Sequence, residues 1–124
     1  NAFILAFFVV YTDFSAASIG AYDIARKRIY VVYQVRAPED SISSPTSFIR
    51  GCANLPERLK YIQGTTLDNL TYIGEWHSHP SANTQRSTDD IKLHKAIVGY
   101  NRENCLPGCM MILGTDNFSI FIDE

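Results

Sequence analysis

A chain of 124 residues is long enough for one hydrophobic core and too short for two domains. Its 46% hydrophobic and 19% charged residues are typical of a globular protein and exclude a disordered one. A net charge of −2 gives no reason to expect a nucleic-acid partner, and the three basic residues Arg26-Lys27-Arg28 are more typical of a solvated turn.

The N-terminal run "AFILAFFVVY", residues 2–11, contains ten apolar residues. A membrane-spanning helix needs about 20, and no basic segment precedes the run as in a signal peptide. We therefore expect a buried element of the core and no membrane association. Because the chain begins with Asn1 rather than Met, we expect a single domain over residues 1–124 that was cut from a longer polypeptide.

The first half of the chain predicts a hairpin, a loop and a helix. Ser15 to Asp23 and Arg28 to Val35 have the small, β-branched and aromatic residues of two paired strands. Ala37 to Ser47 carries two prolines and four serines, which predicts a loop. In "LPERLKYIQG", Pro56 stands in the first turn of a short helix and Gly64 just past its end.

The second half predicts a strand from about Leu70 into two histidines, then a helix from Ser87 to about Arg102. One face of this helix carries Ile91, His94 and Val98. "CMMILG" and "FSIFI" form a further hairpin. The predicted fold class is α/β (α+β), with a mixed, mostly antiparallel sheet flanked by two or three helices.

The three cysteines, Cys52, Cys105 and Cys109, form no paired framework. An odd number suits a reducing compartment and predicts a cytoplasmic location. No second Cys/His pair lies at zinc-finger spacing, so we assign the cysteines structural roles.

The segment "HSHPSANTQRSTDD" contains the residues with the clearest chemistry. His77 and His79 are two residues apart, so on a strand their imidazoles point to the same side. Ser87 starts a helix, and Asp90 in its first turn is able to direct its carboxylate back to the imidazoles. Two histidines and one carboxylate leave a fourth position open, as in catalytic zinc sites.

Each feature has a simpler explanation that needs no metal. Histidines two residues apart occur by chance, and Ser87-x-x-Asp90 is also a capping box.

Trp76 points to the opposite face from the histidines and is assigned to the core. His94 is able to approach the site, but packing on the helix face is the preferred interpretation.

His77-x-His79-Pro80, six residues, Ser87, two residues and Asp90 resemble the signature of the JAMM metalloproteases, the catalytic branch of the MPN-domain family. "DSISSPTSFIRG" and "YIGEWHSHP" resemble its bacterial JAB branch. That branch is found alone or fused to ubiquitin-activating-type enzymes, including those of anti-phage CBASS systems. The resemblance extends from about Asp13 to the C-terminus.

The resemblance implies an MPN/JAB-like fold with one Zn²⁺ per chain, held by His77, His79 and Asp90. Ser87 would donate a hydrogen bond to the oxyanion of the reaction. The implied activity is isopeptide or peptide cleavage after the C-terminal tail of a ubiquitin-like protein, in deconjugation or precursor processing. The implied partners are that protein or its conjugate, and an activating-like or conjugating-like enzyme.

The general base of the family is a glutamate seven residues before the glycine that closes a small-residue strand. Counting back from Gly20 gives Asp13, whose shorter side chain places the carboxylate about 1.5 Å further from the attacking water. Asp13 is then a working but altered base, or the enzyme is weakened or silent, or the base lies elsewhere. Glu75, on the strand face of the histidines, is the alternative base, although a charge near the site is its preferred interpretation. We favour Asp13.

Two other functions keep the same fold. A non-catalytic MPN-type scaffold would bind a ubiquitin-like partner, but such domains generally lose the histidines that this chain keeps. Processing of a sulfur-carrier protein in metabolism keeps the chemistry and changes only the pathway.

Overall fold

A computed structural model describes residues 3–6, 15–43, 48–49 and 51–124. The strands in these ranges are β1 (Phe3–Ala6), β2 (Ser15–Asp23), β3 (Arg28–Val35), β4 (Ile42–Ser43), β5 (Phe48–Ile49), β6 (Thr71–Ser78), β7 (Gly108–Leu113) and β8 (Phe118–Asp123). The helices are α1 (Leu55–Thr65) and α2 (Thr88–Arg102). None of the helices in these ranges is both long and apolar enough to cross a bilayer.

Six strands form one sheet in the order β1-β3-β2-β6-β7-β8, and β4 pairs with β5 in a separate ribbon. The β2–β3, β2–β6 and β7–β8 pairs are antiparallel, whereas β1–β3 and β6–β7 are parallel. This confirms the predicted mixed, mostly antiparallel sheet with flanking helices. Strand β6 lies inside the sheet, between β2 and β7.

Both helices cover the same face of the sheet. Residues directly opposite on neighbouring strands share a face, and Glu75 of β6 lies opposite both Ala17 and Met110. Ala17 packs in one cluster with Leu55 of α1, and Met110 packs with Ile97 of α2. The face of β6 that carries Glu75 is therefore the helical face.

The opposite face carries a second part of the core. Trp76 and Met111 lie opposite each other on β6 and β7 and are 5% and 0% exposed. They pack with Leu113 and Ile120. This confirms the prediction that Trp76 is a core residue, pointing away from the histidine side.

A β-bulge on β6 sets which residues reach the helical face. Ser18 lies opposite Gly74 while Ile19 lies opposite Tyr72, so Ile73 is an extra residue on β6. The bulge puts Tyr72 and Glu75, three residues apart, on one face, where the Tyr72 hydroxyl donates to Glu75 Oε1 at 2.9 Å.

Two predictions in the first half of the chain were wrong. The predicted loop over residues 37–47 contains β4, whose two residues are too few to show the alternation that indicates a strand. Helix α1 continues to Thr65, so Gly64 lies in its last turn. The chain leaves α1 through Leu67 and Asp68, with φ of 52° and 61°, and these two non-glycine residues adopt the left-handed conformation that a glycine after a helix usually supplies.

The buried face of α2 also differs from the prediction. His94 and Val98 are buried as expected, but Ile91 is 38% exposed. Because Asp90 faces the protein, the next residue is turned about 100° away from it around the helix. The other buried positions of α2 are Asp90, Ile97 and Asn101.

The N-terminal run is described only in part. Residues 3–6 form β1, parallel to β3, with Phe3 opposite Arg28. The rest of the predicted element, including its expected burial, lies outside the described residues.

We predict that a pulse of iodoacetamide labels two of the three thiols in the native protein. Cys52 and Cys105 are exposed and Cys109 is buried, and burial raises the pKa of the Cys109 thiol to about 12. A thiol reacts as its thiolate, so Cys109 should react only after unfolding. Peptide mass spectrometry measures the labelling, with urea-unfolded protein as the control. Equal labelling rates at all three cysteines in the native protein would contradict the structure.

Candidate metal centre

Strand β6 and the residue after it present the two histidines. His77 lies in β6, opposite Ser15 of β2 and Ile112 of β7. His79 follows the end of the strand, and its backbone N–H donates to Leu113 O at 2.7 Å. The β7 backbone therefore holds His79 in place although the regular strand has ended.

The start of α2 presents the carboxylate. Ser87 is the N-cap: its Oγ accepts from the Asp90 N–H at 3.2 Å, and its own N–H donates to Asp90 Oδ2 at 2.7 Å. This reciprocal pair is the capping box that the sequence predicted. Since the cap fixes the Asp90 side chain, the capping role and a ligand role support each other.

The three side chains converge on one point. His77 Nε2 lies 2.9 Å from Asp90 Oδ1, and His79 Nε2 lies 3.3 Å from Asp90 Oδ2. The two Nε2 atoms are 3.2 Å apart. His77, His79 and Asp90 form a group able to hold a metal ion, with one ligand atom of each residue within 4.8 Å of the others.

A hydrogen bond to the loop selects the His79 tautomer. His79 Nδ1 lies 2.9 Å from Asn83 O, and a carbonyl oxygen only accepts, so Nδ1 carries the proton. In the neutral ring, Nε2 then directs a lone pair at Asp90 Oδ2, which is also an acceptor. Two lone pairs repel unless a proton or a cation lies between them, so this donor set fits a metal ion.

The protonation states also favour a cation. Burial lowers the pKa of His77, and the negative charge of Asp90 offsets this only in part. Burial by itself would raise the pKa of Asp90, but hydrogen bonds from Ser87 and the neighbouring His77 and His79 outweigh it and hold that pKa below its usual range. A neutral imidazole, as burial favours at His77, and an ionised carboxylate, as at Asp90, are the forms that bind metal.

The loop between the second histidine and α2 is tied to the turn between β7 and β8. The Thr115 N–H donates to Ser81 O at 3.1 Å, and Asn117 Nδ2 donates to Ala82 O at 3.0 Å. These two bonds hold the loop from which the Asn83 carbonyl reaches His79. Neither Asn83 nor Asn117 is predictable from the sequence, because Asn83 acts through its backbone carbonyl and Asn117 belongs to no motif.

The structure describes one of the two candidate general bases. Asp13 lies outside the described residues. Glu75 is 4% exposed and accepts from the Tyr72 hydroxyl, and it does not belong to the three-residue metal-binding group. It does share the helical face of β6 with His77, as predicted from the spacing of two.

Ser87 is exposed and keeps a donor available beside the group. A serine hydroxyl offers one O–H and two lone pairs, and the helix cap uses one lone pair. The O–H is therefore available to a ligand.

His94 is buried, with Nε2 3.0 Å from Gly108 O, which confirms its packing role.

Comparisons with known proteins agree with this geometry. Residues 14–122 match the family model of prokaryotic homologs of the JAB domain. The chain is also 34% identical over 98 residues to a curated protein of Enterobacter hormaechei subsp. hoffmannii (strain UCI 50) named CD-NTase/cGAS isopeptidase. That match covers 79% of this chain and 53% of the relative, so the chain spans about half the length of the relative. The chain belongs to the prokaryotic JAB-domain family.

Proposed function

We propose that this protein is a zinc-dependent isopeptidase or peptidase that cleaves after the C-terminal tail of a ubiquitin-like protein. The observation that carries the proposal is the convergence of His77, His79 and Asp90 on one point. In this arrangement a lone pair of His79 faces a lone pair of Asp90, which is costly unless a proton or a cation lies between them. We also propose that residues 1–124 form one JAB-type domain.

His77, His79 and Asp90 would hold the zinc ion. A bound zinc ion polarises a carbonyl oxygen and lowers the pKa of its water toward about 7. The side chains of the three residues are only 16%, 21% and 12% exposed, so the protein restricts bulk water around the reacting groups. Electrostatic interactions are stronger in such a partly desolvated site.

Ser87 would donate its O–H to the developing oxyanion. Its place at the N-cap supports this role, because the cap fixes the backbone at the site while leaving the hydroxyl proton available. The positive end of the α2 dipole would add to the same stabilisation.

Asp13 would take the proton of the attacking water and pass it to the leaving amine. Support comes from Ser15, which lies opposite His77 and only two residues after Asp13, at most about 7 Å along the chain. Glu75 is the rival base. Its burial and its bond to Tyr72 favour a fixed charge near the histidines over a group that exchanges protons with substrate.

The substrate would be a conjugate or precursor of a ubiquitin-like protein, in a bacterial ubiquitin-like or anti-phage CBASS pathway. The name of the relative, CD-NTase/cGAS isopeptidase, supports this choice over sulfur-carrier processing. An activating-like or conjugating-like enzyme would be a further partner. The complete set of convergent ligands favours an enzyme over a non-catalytic scaffold, which has no need to keep them.

We predict one zinc ion per purified chain, lost when His77→Ala and His79→Ala are combined. Removing both imidazoles leaves a single carboxylate, which is too few ligands for tight binding. Elemental analysis measures the metal, with the pair Cys52→Ser and Cys105→Ser as a control that should keep it. Stoichiometric zinc in the double histidine variant would mean that the metal is bound elsewhere.

We predict that Ser87→Ala lowers kcat by about 10²-fold, the usual loss for one oxyanion donor, while zinc content stays near that of the parent. The change also removes a helix cap, at a cost of about 1 kcal/mol. Ser87→Gly separates the two roles, because glycine at an N-cap costs only a few tenths of a kcal/mol. If Ser87→Gly is as active as the parent, the hydroxyl serves the helix alone.

The general base is tested with four proteins: the parent, Asp13→Glu, Asp13→Ala and Glu75→Gln. We expect a slow parent and a faster Asp13→Glu, because the added methylene moves the carboxylate toward the attacking water. Asp13→Ala should be inactive with zinc still bound. The assay measures cleavage of a ubiquitin-like protein fused to a short peptide, a substrate first validated with a related active enzyme.

The other outcomes separate the remaining interpretations. An inactive Glu75→Gln beside two Asp13 variants that behave like the parent would make Glu75 the base. If none of the four proteins cleaves the substrate although each binds zinc, the proposed isopeptidase activity is rejected and the non-catalytic scaffold is supported.

A further inference from the structure

Arg86, the residue before Ser87, reaches into the protein and contacts a buried histidine. Its Nη1 lies 2.8 Å from Nδ1 of His94 on α2. His94 is 1% exposed, and its Nε2 lies 3.0 Å from the carbonyl oxygen of Gly108 at the start of β7. None of these three residues has a role in the proposed reaction, yet Arg86 is bonded to Ser87 in the chain and joins it to His94 and, through His94, to the Gly108 carbonyl.

The chemistry of the partners determines the proton on His94. A guanidinium has only N–H donors, so Nδ1 of His94 must accept from Arg86. The ring proton is then on Nε2 and is donated to Gly108 O. His94 on α2 thus bonds to Arg86 of the loop before the helix and to Gly108 of β7. Both hydrogen bonds form only when the ring proton is on Nε2, so one tautomer of His94 supports both.

Arg86 is held on a second side by β8. Its guanidinium carbon lies 4.5 Å from the centre of the Phe121 ring, in a cation–π contact. Its Nη1 also lies 3.9 Å from Asp123 Oδ2. A planar guanidinium is able to stack and donate at the same time, whereas the point charge of a lysine is not.

These contacts fix the backbone next to Ser87, from which two consequences follow. The Ser87 N–H orients Asp90 through its 2.7 Å bond to Oδ2, and the Ser87 hydroxyl is the donor proposed for the oxyanion. We propose that Arg86 and His94 are a positioning pair that sets Ser87 and, through it, the Asp90 carboxylate. The proposal rests on the proposed function for its effect on catalysis and on the metal-binding group for its effect on zinc affinity.

Two substitutions of His94 separate its two hydrogen bonds. The Asn side-chain oxygen takes the place of Nδ1, so His94→Asn keeps the acceptor for Arg86 and loses the donor to Gly108 O. The Gln side-chain nitrogen takes the place of Nε2, so His94→Gln keeps the donor and loses the acceptor. A positioning role requires the acceptor, whereas a structural role requires only the bond to Gly108.

We expect His94→Gln to lower kcat by about tenfold or more with KM little changed, and His94→Asn to stay within about twofold of the parent even if it melts earlier. Zinc affinity, measured by chelator competition, should weaken by about tenfold in His94→Gln, as is usual when a group that supports a ligand is lost. Equal losses in both variants, in proportion to their melting temperatures, would overturn the proposal.

A second pair tests Arg86, whose side chain is 29% exposed and tolerates change better than a core residue. Arg86→Met keeps the apolar stem and should lose about tenfold or more in kcat and in zinc affinity. Arg86→Lys should recover part of both. Arg26→Lys, in the turn between β2 and β3, is the matched control and should behave like the parent. An Arg86→Met variant with the kcat and zinc affinity of the parent would overturn the proposal.

The zinc measurement keeps the two proposals distinguishable. A parent that binds zinc but does not cleave the substrate would reject the proposed function, and the affinities of the Arg86 and His94 variants would still decide whether the pair positions Asp90.

Discussion

The site depends on the carboxylate of Asp90, which belongs both to the cap of α2 and to the group of side chains able to hold a metal ion. Its Oδ2 accepts from the backbone of Ser87 at the start of α2, and its Oδ1 faces His77 Nε2. The positive end of the helix dipole stabilises its negative charge, and the cap limits the rotamers that the side chain can adopt. The capping box therefore holds the carboxylate next to the two histidines.

The histidines depend on a different constraint, the burial of β6 inside the sheet. Hydrogen bonding to β2 on one side and β7 on the other leaves β6 little freedom, and the bulge at Ile73 sets which of its side chains face the helices. Gly74 permits the close approach of β7, because a Cβ there would lie 1.7 Å from Cys109 O. The imidazole of His77 is thus placed by the register of three strands.

The segment between His79 and α2 connects these two constraints. Its first part is bonded to the turn between β7 and β8, and Arg86 near its end is hydrogen-bonded to His94 and stacked on Phe121. The segment is therefore held at both ends by β8 and its turn, although β8 contributes no residue to the metal-binding group. Because the ligands converge only when these elements are docked, metal binding and folding should be coupled.

The sequence by itself determined what depends on neighbouring residues. The residue types of β2 and β3, the capping box of Ser87 and Asp90, and the spacing of His77 and His79 are local features, and the structure has the two strands, the cap and the paired histidines. The strand β4, the exit from α1 and the exposure of Ile91 were predicted wrongly, because two residues are too few for a pattern and because burial depends on what a helix packs against. Asp13 stays a prediction.

Only the tertiary structure decided the long-range contacts. The bond of Asn117 to Ala82 spans 35 residues, and the bond of His94 to Gly108 spans 14. No periodicity links such positions, since their meeting depends on how the whole sheet closes. The sequence therefore identified the residues able to bind a metal, whereas the folded sheet decided the tautomers of His79 and His94, the partner of Arg86 and the orientation of the group.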